Sequence, residues 1–207
     1  MLSGVLSAVM LATLVPSTAS RQSEGTDNRL LSDGSVPDDP ETNGMVVVWE
    51  LDKPMKSTIT YGTSDADEKT LEVPVEEGEK FKGESMHMYR ARLTDLTPGT
   101  TYTYKVETED GQTMDGHFRT LPENSNEIRF VVVSDSHRFE TATKVSDVIA
   151  QFDPDFILHT GDMVEGTGSQ KDQFPYWFQN VGSFLHNVPV IYNSGNHDYG
   201  VYFDEYV

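Results

Sequence analysis

Three continuous apolar runs constrain the second half of this chain. They are Ile128–Asp135 (IRFVVVSD), Pro154–Asp162 (PDFILHTGD) and Val188–Asn196 (VPVIYNSGN). Unbroken rather than alternating apolar character belongs to strands of a sheet covered on both faces. Between the first two runs lies TATKVSDVIAQF, with Val145, Val148, Ile149 and Phe152 at helical spacing. Between the second and third lies KDQFPYWFQNVGSFL, where Phe174, Trp177, Phe178, Val181, Phe184 and Leu185 form an apolar stripe. Pro175 suits the first turn of that helix. The helical spacing makes Tyr176-Trp177-Phe178 core packing rather than a substrate platform. Strand, helix, strand, helix, strand predicts parallel pairing with right-handed crossovers.

The preceding residues have another texture. MVVVWELD, STITYGT, MHMYRARLTDL, TYTYKVET and GHFRTLP are short β-branched and aromatic runs separated by turns. Tyr89, Ala91 and Leu93 alternate onto one face, as do Tyr102, Tyr104 and Val106. Such a series predicts a small β-sandwich. Tyr102 follows a Pro-Gly turn in LTPGTTY and opens a strand, the setting of a tyrosine corner.

Residues 21–43 are polar and rich in Gly, Ser, Pro and Asp, and read as a linker. Residues 1–20, MLSGVLSAVMLATLVPSTAS, carry an apolar run ending in small residues, with Ser17 and Ala19 spaced like a cleavage site. The run is too short for a comfortable membrane span of about 20 residues. No Lys or Arg precedes it, yet a signal peptide is the expectation, and with it a secreted or periplasmic/extracellular protein. The 34 Asp and Glu against 15 Lys and Arg give a net charge of -19, which argues against nucleic acid and anionic membranes as partners. There is no cysteine, which excludes disulfides, thiolate metal sites and a cysteine nucleophile.

Ligands of open α/β sheets gather beyond the carboxyl ends of the strands. The three runs end there in Ser134-Asp135-Ser136-His137, in Gly161-Asp162, and in Gly195-Asn196-His197-Asp198. Carboxylate, imidazole and amide donors suit Mn, Zn, Fe or Ca. In extended backbone, Asp135 and His137 would point to the same side. Gly161 and Gly195 would let the chain turn sharply. Each motif alone is commonplace; their joint occurrence, each at a strand end, points to a metal site.

In that order D-x-H, G-D and G-N-H-D resemble the calcineurin-like metallophosphoesterase superfamily, over residues 127–207. VVVWE, ITYGT, LTDLTPGTTYTYKV and FRTLP resemble the fibronectin type III-like N-terminal domain of purple acid phosphatases, over residues 44–122. The implied fold is an all-β sandwich followed by an incomplete α/β domain, whose family fold is a two-sheet α/β sandwich. The resemblance implies that Asp135 and His137 hold a first metal, that Asp162 bridges two metals, and that Asn196 binds the second. It places His197 over the phosphate as proton donor or charge stabiliser, with Asp198 orienting it. The implied cofactors are two divalent or trivalent ions, Fe, Zn or Mn. The implied substrate is a phosphate ester, attacked by a metal-activated hydroxide. His87 and His117 receive no role, His159 reads as a strand residue and His186 as a loop residue.

Two departures separate the chain from purple acid phosphatases proper. Their first motif is D-x-G, where this chain has Asp135-Ser136-His137. Their iron-binding tyrosine corresponds to Glu165, so tyrosinate-iron colour is expected to be absent. The resemblance also calls for further histidines, in V-x-x-H and G-H-x-H, and none follows His197. The expectation is a chain truncated in its catalytic domain and inactive by itself. The alternative is a non-catalytic module that binds metal weakly or acts through its β-sandwich.

Overall fold

The computed structural model describes residues 7–11, 42–51, 53–75, 79–80, 87–125, 127–137, 140–165 and 170–198. The strands are β1 Ser7–Leu11, β2 Met45–Leu51, β3 Ser57–Gly62, β4 Lys69–Val73, β5 Glu79–Lys80 and β6 His87–Leu93, then β7 Thr101–Thr108, β8 Thr113–Arg119, β9 Phe130–Val133, β10 Phe156–His159 and β11 Val190–Tyr192. The helices are α1 Glu140–Phe152, α2 Gln170–Asn180 and α3 Gly182–Leu185.

The sandwich follows from strict alternation. In β7, Tyr102, Tyr104, Val106 and Thr108 are buried and the residues between them exposed. This side of β4-β3-β7-β8 packs on β2 and β6, around Trp49, Ile59, Tyr89, Leu93 and Phe118. Rings stack within the core, Trp49 on Tyr89 at 5.8 Å and Tyr102 on Phe118 at 5.5 Å between centroids. The Tyr102 hydroxyl accepts the Thr97 N–H at 2.9 Å, which completes the tyrosine corner. The Tyr89 hydroxyl does the same for Met55 N–H at 3.0 Å.

The larger sheet runs β5-β6-β2-β1-β11-β10-β9. Its first part belongs to the sandwich; β9, β10 and β11 pair in parallel and belong to the α/β part. β1 joins the two parts, antiparallel to β2 over five residue pairs and parallel to β11 through Leu11 and Val190. It lies inside the segment expected as a leader; the other residues of 1–20, and nearly all of the linker, fall outside the described residues. No described helix is long and apolar enough to cross a membrane.

Among the described residues, helices cover one face of β9-β10-β11, not both. Val131 and Val133 pack against the core formed with Phe174, Trp177, Phe184 and Leu185, whereas Phe130 and Val132 are 54% and 56% exposed. Helix α1 also turns differently from the expected stripe: it buries Ala142, Ser146 and Ile149 and exposes Val145, Val148 and Phe152. The small side chains at 142 and 146 admit close packing, and Asp147 accepts the Ser183 hydroxyl of α3 at 2.6 Å. Helix α2 starts at Gln170, so Pro175 lies inside it rather than in its first turn. Its apolar stripe is buried as spaced, but Tyr176 is 43% exposed and stands outside the core.

The sandwich grips the segment that leads into β11. The Tyr104 hydroxyl donates to His186 O at 3.0 Å, and His117 N–H donates to Asn187 Oδ1 at 3.2 Å. Burial, and then the charge of Asp115, push the Tyr104 phenol up, so it stays a donor. Gly116 makes the approach possible, because a Cβ there would overlap His186 O and come within 2.7 Å of the Tyr104 hydroxyl. Arg119 and Asp155 add an ion pair at 3.6 Å. Gly116→Val should therefore cost about 1–3 kcal/mol by overpacking at this junction. Urea unfolding would show the loss, and an unchanged midpoint would mean that the two parts do not meet there.

Candidate metal centre

The three strand ends converge. Asp135, His137 and Asp162 each offer a donor atom, and the three atoms lie within 4.8 Å of one another. Carboxylate oxygen with imidazole nitrogen fits Mn, Zn or Fe, so the donor set agrees with the expected ions. The His197 ring stands edge-on to the His137 ring, 5.2 Å between centroids. Asn196 is exposed on the same turn.

The convergence of Asp135 and His137 does not come from an extended strand. β9 ends at Val133, and both residues have left-handed backbone, φ 51° and 43°. Asp162 shares it, at φ 58°. Such backbone costs about 1–2 kcal/mol per non-glycine residue unless the surroundings hold it. Here Asp135 N–H donates to Gly161 O and His137 N–H to Asp162 O, both at 3.0 Å. The loop after β9 is thus bonded along the loop after β10.

Gly161 and Gly195 serve close approach more than turning. Gly161 does have φ +117°, open to glycine alone. For Gly195 the reason is space: a Cβ would overlap Asp162 Oδ1, and one on Gly161 would overlap the Gly195 backbone. Two backbones therefore touch where the second and third motifs meet.

Asp198 holds that contact, which corrects the expectation that it orients His197. Its carboxylate is fully buried and accepts four backbone N–H groups. Oδ2 takes Asp162 at 2.6 Å and Gly195 at 2.9 Å; Oδ1 takes Met163 at 2.8 Å and Val164 at 3.2 Å. His197 is instead oriented by the main chain, with Nδ1 2.7 Å from Glu165 O. His137 Nδ1 lies 3.0 Å from Val164 O. A carbonyl only accepts, so both Nδ1 atoms carry hydrogen, and in the neutral rings the lone pair sits on Nε2. The carbonyl of Glu165, and then the nearby carboxylates of Asp162, Asp198 and Asp135, raise the His197 pKa against the effect of burial. His197 N–H also donates to Asp162 Oδ1 at 2.9 Å, tying the third motif to the candidate bridging ligand.

Sequence reading missed the carbonyls of Val164 and Glu165, since any residue can supply a carbonyl. It also missed Gln173, whose Oε1 accepts the Glu165 N–H at 2.9 Å and so steadies that carbonyl. His159 is a strand residue, as expected, but a fully buried one with polar partners. Burial pushes its pKa down to about 4, against the opposing charges of Asp198, Asp135 and Asp162 and with a smaller push from His137. His186 is half-buried, and burial lowers its pKa too.

Residues 35–120 match the family of purple acid phosphatase N-terminal domains, and residues 128–207 that of calcineurin-like phosphoesterases. Among solved structures, the purple acid phosphatase PPD1 from yellow lupin (Lupinus luteus) seeds superposes with a TM-score of 0.61 at 18% identity, covering 77% of this chain and 34% of that one. PhoD superposes with a TM-score of 0.56 at 15% identity, covering 77% and 38%. At these identities the likeness concerns the fold, and the chain spans well under half of either protein. No curated protein sequence matches significantly.

Asp198→Asn should lose about 2–6 kcal/mol, because the amide NH2 would face two of the four buried N–H donors and leave them without an acceptor, at about 1–3 kcal/mol each. A urea midpoint within error of wild type would rule out this role for the carboxylate. His159 adds a pH dependence. Below its ordinary pKa of 6.5 the unfolded chain takes up a proton that the folded chain refuses until about pH 4. Stability should fall across that interval as pH drops, by roughly 3 kcal/mol at most. His159→Gln should flatten this part of the profile; an equal slope in both proteins would contradict it.

Proposed function

We propose that the protein is an exported, metal-dependent phosphoesterase acting on phosphate esters through a dinuclear centre, a reading supported by the match of residues 35–120 to purple acid phosphatase N-terminal domains and of residues 128–207 to calcineurin-like phosphoesterases. The observation that carries this reading is the convergence of Asp135, His137 and Asp162 within 4.8 Å, beside the His197 ring.

Asp135 and His137 would hold a first ion, His137 through Nε2, and Asp162 and the side-chain oxygen of Asn196 would serve a second, with Asp162 common to both. When bound, the metal would supply Lewis-acid chemistry, lowering the pKa of water and offsetting the charge of the phosphate. His197, with Nδ1 fixed on the Glu165 carbonyl, holds a proton at Nε2 and delivers it to the leaving-group oxygen. The Glu165 carbonyl, which accepts from Nδ1–H, favours the protonated ring that this step uses. In a chain of net charge -19, ions at this point also relieve the repulsion of an anionic substrate. Export rests on the leader reading of residues 1–20, whose removal would take β1 with it.

Calorimetric titration of the chain with Mn2+ and with Zn2+ tests the site. Binding is expected, weakened at least about tenfold by Asp162→Asn. Absence of binding by either ion would sink the proposal. In a complete phosphoesterase domain, His197→Ala is expected to lower p-nitrophenyl phosphate turnover by about 10²- to 10⁴-fold with metal affinity retained. Full turnover in that variant would remove the proton-donor role.

A further inference from the structure

Between the first two metal-binding loops sits a histidine outside the ligand set. His159, the last residue of β10, is fully buried. Its Nδ1 accepts the Gly161 N–H at 3.2 Å, and its Nε2 lies 2.8 Å from Ser136 Oγ. A backbone N–H only donates, so Nδ1 carries the lone pair and Nε2 the hydrogen, which it gives to Ser136. The same hydroxyl oxygen accepts Trp177 Nε1–H at 2.8 Å. The indole stands edge-on to the imidazole, 5.5 Å between centroids.

The two ends of this chain of bonds are informative. Gly161 immediately precedes Asp162, and Ser136 lies between Asp135 and His137. One imidazole, held as one tautomer, therefore spans the loops that carry all three candidate ligands. Trp177 ties the junction to α2, which is anchored in the core. The ligands themselves have left-handed backbone, which persists only where the surroundings over-determine it. Asp198 secures the second loop against the third. Main-chain bonds from Asp135 and His137 secure the first loop against the second, and His159 supports them from the buried side.

We infer that His159 is a positioning residue: through Gly161, Ser136 and Trp177 it fixes the separation of Asp162 from Asp135 and His137, and so sets metal affinity without touching the ion. The inference rests on the reading of those three residues as ligands. Its structural half can be measured with no metal present.

The test uses His159→Phe, which keeps a ring but removes both bonds, Ser136→Ala, which removes the shared acceptor, and His159→Gln, whose amide can still donate to Ser136. Amide hydrogen exchange is followed without metal at Asp135 and His137, with Ile157, bonded to Pro189 O, as reference. His159→Phe and Ser136→Ala should speed exchange at Asp135 and His137 by about tenfold and leave Ile157 unchanged. Mn2+ affinity should fall by about 10- to 100-fold in the same variants. The double variant should be no worse than the poorer single one, and His159→Gln should recover most of the affinity. Unchanged exchange at Asp135 and His137 in the folded variants would overturn the inference, as would an equal rise at Ile157, which marks general loosening. Should His159→Phe not fold, Ser136→Ala and His159→Gln decide by the same two readouts. If wild type binds neither Mn2+ nor Zn2+, the phosphoesterase reading and the metal half of this inference fall together, while exchange still decides whether His159 holds the loops.

Discussion

At Gly161 and Gly195 two main chains approach so closely that neither position has room for a Cβ. Contact of that kind crowds polar N–H groups into a dry space, where each needs an acceptor. The Asp198 carboxylate meets the need, taking four N–H groups from the two loops. With the loops joined, Asp162 and His197 come within one hydrogen bond of each other. The carbonyls of Val164 and Glu165 then fall where they select the tautomers of His137 and His197. The placement of Asp162 and His197 therefore descends from an aspartate that is buried beneath them.

This scaffold holds an unfavourable backbone in place. Asp135, His137 and Asp162 all have positive φ, and main-chain bonds on either side keep them there. Further support comes from a distance. The sandwich holds residues 186 and 187 through Tyr104 and His117, just ahead of the strand that delivers the third motif. The β-sandwich thus contributes to the placement of His197.

Local patterns were legible where a single contact decides them. Alternation in β7 reflects one buried face, and the Pro-Gly turn before Tyr102 leaves its hydroxyl one partner within reach. The spacing of Phe174, Trp177 and Phe178 was sound because large rings in a helix find the core. Helix α1 was harder. Its larger residues, Val145 and Val148, face solvent, while Ala142, Ser146 and Ile149 are buried and α1 packs against α3. The apolar run of β9 likewise promised cover on both faces, whereas only the Val131 and Val133 side is packed among the described residues.

The sequence by itself determined which donor chemistries stand at the three strand ends, because Asp, His and Asn are readable as residue types and parallel strands place their ends together. Tertiary structure alone decided how they are held. It put Asp198 under the loops rather than behind His197, made backbone carbonyls the orienting groups, and set a neutral His159 between two motifs. Those assignments depend on burial, on tautomer and on main-chain atoms common to every residue. Apart from the local N–H bonds of Gly161 and Gly195, they are fixed by contacts between segments more than twenty residues apart, for which a linear pattern carries no mark.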